Sequence, residues 1–210
     1  MSETTQTQGY VDRIRSDFTT EAWVLIPIGV GINVVGGTII QTLRIPLFMD
    51  TIGTMLVAIL AGPFVGIVAG VLTNIVLGFT AGPQLVPFAI VNAVIAVVAG
   101  VLAQRGWLQL EDAIEYWKLV AAGLLTAVVA TIFSAPISVY VFGGVTPGAQ
   151  GALTSFFLAS GQGLWESVIG ASGVSEPIDK TVSFFVAYAI ARSIPVRYLP
   201  RQGMDALGES

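Results

Sequence analysis

The chain has 210 residues, of which 54% are hydrophobic and only 10% are charged, and its mean hydropathy is +0.83. Because soluble domains carry about 25% charged residues, this composition predicts an integral membrane protein. Histidine and cysteine are both absent, which excludes disulfides, thiol nucleophiles, imidazole bases and metal sites built from these two residues.

Apolar stretches long enough to cross a bilayer, alone or tightly joined, occur six times, since a spanning helix needs about 20 apolar residues. The sequence A-G-P at 61–63 and again at 81–83 predicts tight turns, because Gly can end one helix and Pro can begin the next. The predicted spans are 22–43, 47–62, 64–79, 85–104, 119–142 and 181–199.

The distribution of Lys and Arg predicts the orientation of these spans. If the N-terminus is cytoplasmic, the outer segments hold only Arg44 and Lys180. We therefore predict an all-α membrane protein, a six-transmembrane-helix bundle in the cell membrane with both termini cytoplasmic. The basic residues on the predicted cytoplasmic side are Arg13, Arg15, Arg105, Lys118, Arg192, Arg197 and Arg201.

Two connecting segments differ from simple loops. The segment 106–118 carries Trp107 and Trp117 at roughly helical spacing between acids, which predicts an amphipathic helix on the cytoplasmic surface. The segment 146–177 is apolar but interrupted by glycines, so we expect a long, partly helical outer loop that folds over the bundle like a lid. The predicted organisation is a polar N-terminal tail (1–20), a six-helix membrane domain (21–200) and a C-terminal tail (201–210).

Polar residues are concentrated in the outer half of the predicted bundle, and Asp50 lies at the outer end of the second helix. Polar groups facing lipid are costly, so such residues usually face the bundle interior or a cavity. We therefore predict an outward pocket. Its candidate substrate-binding residues are Asp50, Asn74, Asn92, Gln41, Trp165 and Glu166.

Structural roles for the same residues stay open. Asp50 could simply begin the second helix, where a negative charge is favoured by about 0.3–1 kcal/mol. Asn74 and Asn92 could bridge neighbouring helices instead of contacting a ligand. Trp165 could anchor the loop at the membrane interface, and Glu166 could be a solvated acid.

Small residues follow the inner half of the predicted helices, and Gly62, Gly66 and Gly70 are spaced four apart on the third one. Such stripes let helix backbones approach closely, either within one bundle or between two proteins. The candidate partner-interface residues are Gly29, Gly31, Gly66 and Gly70.

Three segments of the chain resemble a known family. They are LFMDTIGTMLVAILAGPFVGIVAGVLTNIV (47–76), PFAIVNAVIAVVAGVLAQRGW (87–107) and EPIDKTVSFFVAYAIARSIP (176–195). Together they resemble the substrate-binding S components of energy-coupling factor (ECF) transporters over about residues 20–200.

This resemblance implies a six-helix protein that binds a vitamin, a vitamin precursor or a metal ion in an outward pocket. S components associate with a transmembrane coupling subunit and two cytoplasmic ATPases, which supply the energy. The chain departs from the family at the first helix, where no Ala-x-x-x-Ala pair occurs, so no coupling residue is carried over by motif. It also lacks the histidine of the metal-transporting branch, which favours an organic substrate.

The predicted function is thus a high-affinity membrane solute-binding subunit of an ATP-driven importer, with no cofactor and no nucleic-acid partner. The chain lacks G-x-x-x-x-G-K-[ST], H-E-x-x-H and G-x-S-x-G, so we expect neither ATP hydrolysis by this chain nor an enzyme. A membrane ligand-sensing module and an autonomous secondary transporter stay as alternatives.

Overall fold

The structure is a computed structural model that describes residues 17–209. In these residues 81% of the chain is helical and no strand occurs. The α-helices are α1 (Thr20–Leu43), α2 (Ile52–Ala61), α3 (Pro63–Thr80), α4 (Ala89–Gln104), α5 (Trp117–Phe142), α6 (Ala149–Ala159), α7 (Leu164–Ser193) and α8 (Arg201–Leu207). Short 3₁₀ helices lie at Pro83–Phe88, Ala113–Tyr116 and Val196–Tyr198.

The helix boundaries follow from local sequence. Thr19 caps α1, since its hydroxyl accepts a hydrogen bond from the N–H of Ala22 at 3.3 Å. At the first A-G-P sequence, Gly62 has φ +89°, a conformation that suits glycine, and Pro63 is the first residue of α3. At the second, Gly82 has φ +141° and Pro83 begins a 3₁₀ helix. Both sequences therefore form turns.

The helix α2 is the centre of the bundle. All ten of its residues are buried, and it contacts α1, α3, α4, α7 and α8. Leu56, Ile59 and Leu60 of α2 share the main core with Ile95 of α4 and Phe184 of α7. A ten-residue helix is about 15 Å long, half the thickness of the hydrocarbon core, so α2 alone is too short to cross a membrane.

Four segments of the described chain are long and apolar enough to cross a membrane: Thr20–Leu43, Pro63–Thr80, Pro83–Gln104 and Ala113–Phe142. The sequence predicted six spans. Of the other two predicted spans, the first corresponds to the short α2 and the second to part of α7, which carries buried charges along its length.

The helix α7 differs from its prediction. A span at 181–199 was expected after a long loop at 146–177, whereas α7 begins at Leu164, runs through Pro177 and ends at Ser193. The loop prediction rested on the glycines of this segment, which disfavour an isolated helix. Packing of α7 along α5 overrides that local preference. Only α6 and the turns beside it correspond to the expected helical loop.

The bundle has two distinct ends. The pocket end is formed by residues 43–52, 80–89 and 142–164, where α1, α3 and α5 finish. The terminal end is formed by residues 17–20, 61–63, 104–117 and 193–209. At the terminal end α8 lies under α2 and α4, and Gln109 Nε2 donates to the carbonyl of Asp205 at 2.7 Å.

Candidate functional site

A pocket opens at the pocket end of the bundle, between the α1–α2 loop, α3, α4, α5, the start of α6 and α7. Its empty volume is about 720 Å³, open solvent included. Three charged side chains line it, namely Asp50, Glu176 and Lys180. The aromatic rings of Phe48 and Phe88 supply apolar wall.

One wall of the pocket is held by a hydrogen-bond network that begins at Asn33, which is fully buried in α1. Its amide nitrogen donates to Thr54 Oγ1 at 2.8 Å and to Thr73 Oγ1 at 2.9 Å. Its amide oxygen accepts from the backbone N–H of Gly53 at 2.6 Å. Asn33 therefore ties α1 to α2 and α3 in the middle of the bundle.

The network continues to the pocket through two further asparagines. Thr54 Oγ1 donates to Asn92 Oδ1 at 2.9 Å, and Asn92 Nδ2 donates to Asn74 Oδ1 at 2.7 Å. Asn74 Nδ2 then donates to the carbonyl of Leu85 at 2.9 Å, which fixes the 3₁₀ helix between α3 and α4. Because buried polar groups are costly unless paired, this chain of bonds fixes how four helices meet.

The opposite wall carries a buried charge cluster on α7. Asp179 is fully buried, and its Oδ1 accepts hydrogen bonds from the backbone N–H groups of Phe48 and Met49, both at 2.8 Å. Its Oδ2 accepts from Lys180 Nζ at 2.6 Å. Lys180 Nζ also lies 3.3 Å from Glu176 Oε2 and 5.3 Å from the ring centre of Phe48. Asp179 thereby fastens the α1–α2 loop to α7.

The predicted substrate-binding residues separate into two groups. Asp50, Asn74 and Asn92 line the pocket together. Gln41 is exposed on the last turn of α1, outside the pocket lining. Trp165 lines an apolar groove between α5 and α7 instead, where it contacts Tyr140 edge-on at 5.7 Å.

Glu166, the sixth predicted residue, caps a helix. Its Oε2 accepts from the backbone N–H of Gly163 at 2.7 Å, directly before α7 begins. The carboxylate therefore satisfies a donor at the start of the helix and compensates its dipole.

Three of the four predicted interface glycines lie against helices of this chain. A Cβ at Gly29 would meet Val57 and Gly53 of α2, one at Gly66 would meet Ala58 of α2, and one at Gly70 would lie 3.1 Å from the carbonyl oxygen of Asn92. A Cβ at Gly31 would meet nothing within 4 Å.

Sequence reasoning missed Thr51, Glu176 and the pocket position of Lys180. Glu176 fell within the predicted outer loop 146–177, and Lys180 was expected just before the predicted span 181–199. The signal was nonetheless present, since residues 172, 176, 179, 180 and 183 are polar and follow the 3.6-residue period of one helix face. That face was hidden because glycines and a proline interrupt the same segment.

In residues 17–209, helices without strands, four candidate membrane spans and a polar pocket inside one end of the bundle indicate a membrane protein with a candidate small-molecule site. Residues 22–191 match the family model of the ECF transporter, substrate-specific component. The chain therefore belongs to this family, as its sequence resemblance indicated. No curated protein and no solved structure matched the chain.

Membership defines the general role of the protein. It is a membrane-embedded, substrate-specific subunit of an ECF transporter, and its partners are a transported substrate and the membrane-embedded ECF module. Subunits of this family are transporter components and not enzymes.

Proposed function

We propose that this protein is the high-affinity solute-binding subunit of an ATP-driven importer in the plasma membrane, and that its solute is a vitamin or a related organic micronutrient. The observation that carries the proposal is the pocket itself. In a chain with only 10% charged residues, one end of the bundle places three charged side chains and two asparagines around a space open to solvent. Polar groups at membrane depth are costly and mark ligand pathways.

An outward-facing pocket is the orientation that the charges favour. Arg105, Lys118, Arg197 and Arg201 lie at or beside the terminal end, whereas Arg44 is at the pocket end. Two further basic residues used in the prediction, Arg13 and Arg15, lie outside the described residues. An excess of Lys and Arg on the cytoplasmic side supports six spans with both termini inside the cell.

Within the pocket, we assign direct contact with the solute to Asp50, because its carboxylate lines the opening. Asn74 and Asn92 hold the wall against which the solute packs. Gln41, Trp165 and Glu166 were also candidates for solute binding, but they lie outside the pocket lining. Substituting each of them should weaken solute binding if it closes a lid over the pocket, and should leave binding unchanged if its role is purely structural.

Energy for import would come from partners. We propose that a transmembrane coupling subunit and two cytoplasmic ATPases assemble with this chain, and that small residues on exposed helix faces admit the coupling subunit. Gly31 is the candidate of this kind with open space around it, whereas Gly29, Gly66 and Gly70 pack inside the bundle.

Purification from the native host in mild detergent tests the proposal. Mass spectrometry of the proteins that remain bound should identify two ATPases and one further membrane subunit. Recovery of a sensor kinase in their place would favour the ligand-sensing alternative and contradict the importer.

Uptake measurements separate the importer from a secondary transporter. Small molecules extracted from the purified protein supply the solute, and its uptake by whole cells is followed with a radiolabel. Depleting ATP while maintaining the ion gradients should abolish uptake. Uptake that persists without ATP and stops with an ionophore would show an autonomous secondary transporter.

A further inference from the structure

The charges around the pocket do not balance. Asp50, Glu176 and Lys180 line it, and Asp179 lies directly behind Lys180. With all four groups ionised, three carboxylates meet one ammonium, which leaves an excess of two negative charges. Buried charges in proteins are normally paired, because an unpaired one is costly to desolvate.

The positive charge of this cluster, the ammonium of Lys180, is already paired within the protein. Lys180 is 2% exposed, and its ammonium donates to Asp179 at 2.6 Å and lies over the ring of Phe48. Asp179 in turn accepts this bond and two more from backbone N–H groups. Lys180 therefore neutralises Asp179, and it has little capacity left to bind an anionic solute.

The other two carboxylates, of Asp50 and Glu176, can accept further hydrogen bonds. Glu176 is 4% exposed, and its contact with Lys180 at 3.3 Å lies outside hydrogen-bond geometry, so its buried Oε2 accepts no hydrogen bond within residues 17–209. The carboxylate of Asp50 forms no ion pair within residues 17–209. The carboxylates of Asp50 and Glu176 thus border the same pocket.

The hydroxyl of Thr51 is a further, uncharged hydrogen-bond acceptor in the same pocket. Thr51 is 3% exposed and lines the same pocket, and its Oγ1 is buried with no hydrogen-bond partner in the described chain. The amides of Asn74 and Asn92 are instead used within the wall network. An unpaired buried hydroxyl beside two carboxylates that can accept further hydrogen bonds is the environment that a ligand with several N–H donors would satisfy.

A metal ion fits this arrangement less well than an organic cation. Asp179 is turned to Lys180 and to the α1–α2 loop backbone, and within residues 17–209 no set of three or more acidic side chains has the arrangement of a metal site. The rings of Phe48 and Phe88 also line the pocket, and they favour a solute with an apolar or aromatic body.

We propose that the solute of this pocket is an organic cation, whose amine, amidine or N-protonated ring donates hydrogen bonds to Asp50 and Glu176. The assignment rests on the proposed solute-binding function and narrows its substrate class. A singly charged cation would offset one of the two excess negative charges of the cluster, so binding and local stability of the α1–α2 loop would be coupled.

Three aromatic probes of nearly equal shape test the assignment: benzamidinium, benzamide and benzoate, which are cationic, neutral and anionic. Their binding to the purified full-length protein in detergent is measured by ligand-observed NMR titration. We expect saturable binding of benzamidinium, at least about tenfold tighter than that of benzamide, and no saturable binding of benzoate.

Substitutions that remove the charge of a single carboxylate test which residue binds the cationic probe. E176Q should weaken benzamidinium binding about tenfold and leave benzamide unchanged, and D50N provides a second variant if E176Q fails to fold. E111Q is the matched control, since Glu111 is exposed in the segment between α4 and α5, far from the pocket. It should bind benzamidinium as the wild type does, and thermal melting of each variant checks the fold.

The outcomes separate this inference from the proposed function. Equal or tighter binding of benzoate or benzamide, or full benzamidinium affinity in both E176Q and D50N, would overturn the cationic substrate class while leaving a solute-binding pocket in place. Absence of saturable binding for all three probes would count against both.

Discussion

At the scale of single residues, the pocket contains two buried polar atoms that the protein itself leaves without hydrogen-bond partners. Thr51 Oγ1 and Glu176 Oε2 are buried and accept no hydrogen bond within the described chain. A protein selected for stability alone would pair or remove such atoms, because each costs about 1–3 kcal/mol. Their position in one pocket is explained if a ligand completes them.

This explanation predicts opposite effects on stability and binding at Thr51. T51V keeps the side-chain shape and removes the unpaired hydroxyl, so the ligand-free protein should melt at the same or a higher temperature. Benzamidinium binding should weaken severalfold, since the hydroxyl would no longer accept a hydrogen bond. The two quantities are measured by differential scanning fluorimetry and NMR titration.

The control is T126V, because Thr126 is equally buried but donates to the carbonyl of Ala122 on α5, outside the pocket. It should leave the affinity unaltered. A T51V protein that melts clearly lower and binds as before would show that the hydroxyl has a structural role only.

At the scale of elements, the asparagine network explains how α1 to α4 keep one arrangement without large polar interfaces. Asn33, Asn74 and Asn92 are each buried and use both ends of their amides between helices. Small residues around them, such as Gly53 and Gly70, allow the close approach that the bonds require.

Breaking the network should destabilise the bundle. N92L keeps a similar volume but leaves the hydroxyl of Thr54 without its acceptor and Asn74 Oδ1 without its donor. We expect a loss of about 2–4 kcal/mol of unfolding free energy, seen as a lower denaturation midpoint in mixed detergent.

An exposed threonine provides the comparison. T38V removes only a bond from Thr38 to the carbonyl of Val34 on an exposed face of α1, and it should leave the midpoint nearly unchanged. Equal midpoints for N92L and wild type would mean that the network carries no net stability.

At the scale of the whole molecule, the proposed orientation places the pocket end outside the cell. The absence of native cysteine permits a clean test with single-cysteine variants. Ser160 is exposed at the pocket end after α6, and Glu111 is exposed at the terminal end. In whole cells, a membrane-impermeant maleimide should label S160C and should label E111C only after lysis. The reverse pattern would invert the topology.

The sequence by itself determined the broad class of this protein. Hydropathy predicted a helical membrane protein, and the family resemblance was confirmed over residues 22–191. The polar residues Asp50, Asn74 and Asn92 were expected to face a common interior, because exposing polar groups to lipid is costly, and all three line one pocket. That argument depends only on residue type and depth.

The tertiary structure decided what each polar residue does. Whether Asn74 and Asn92 bond to each other, and whether Glu176 lies in a loop or faces a pocket, depends on how α7 packs along α5 and around α2. Local sequence signals at 146–177 favoured a loop, since glycine and proline disfavour an isolated helix. Long-range packing made that segment helical, and only then did Glu176 and Lys180 enter the pocket wall, on the face of α7 that meets Asp50.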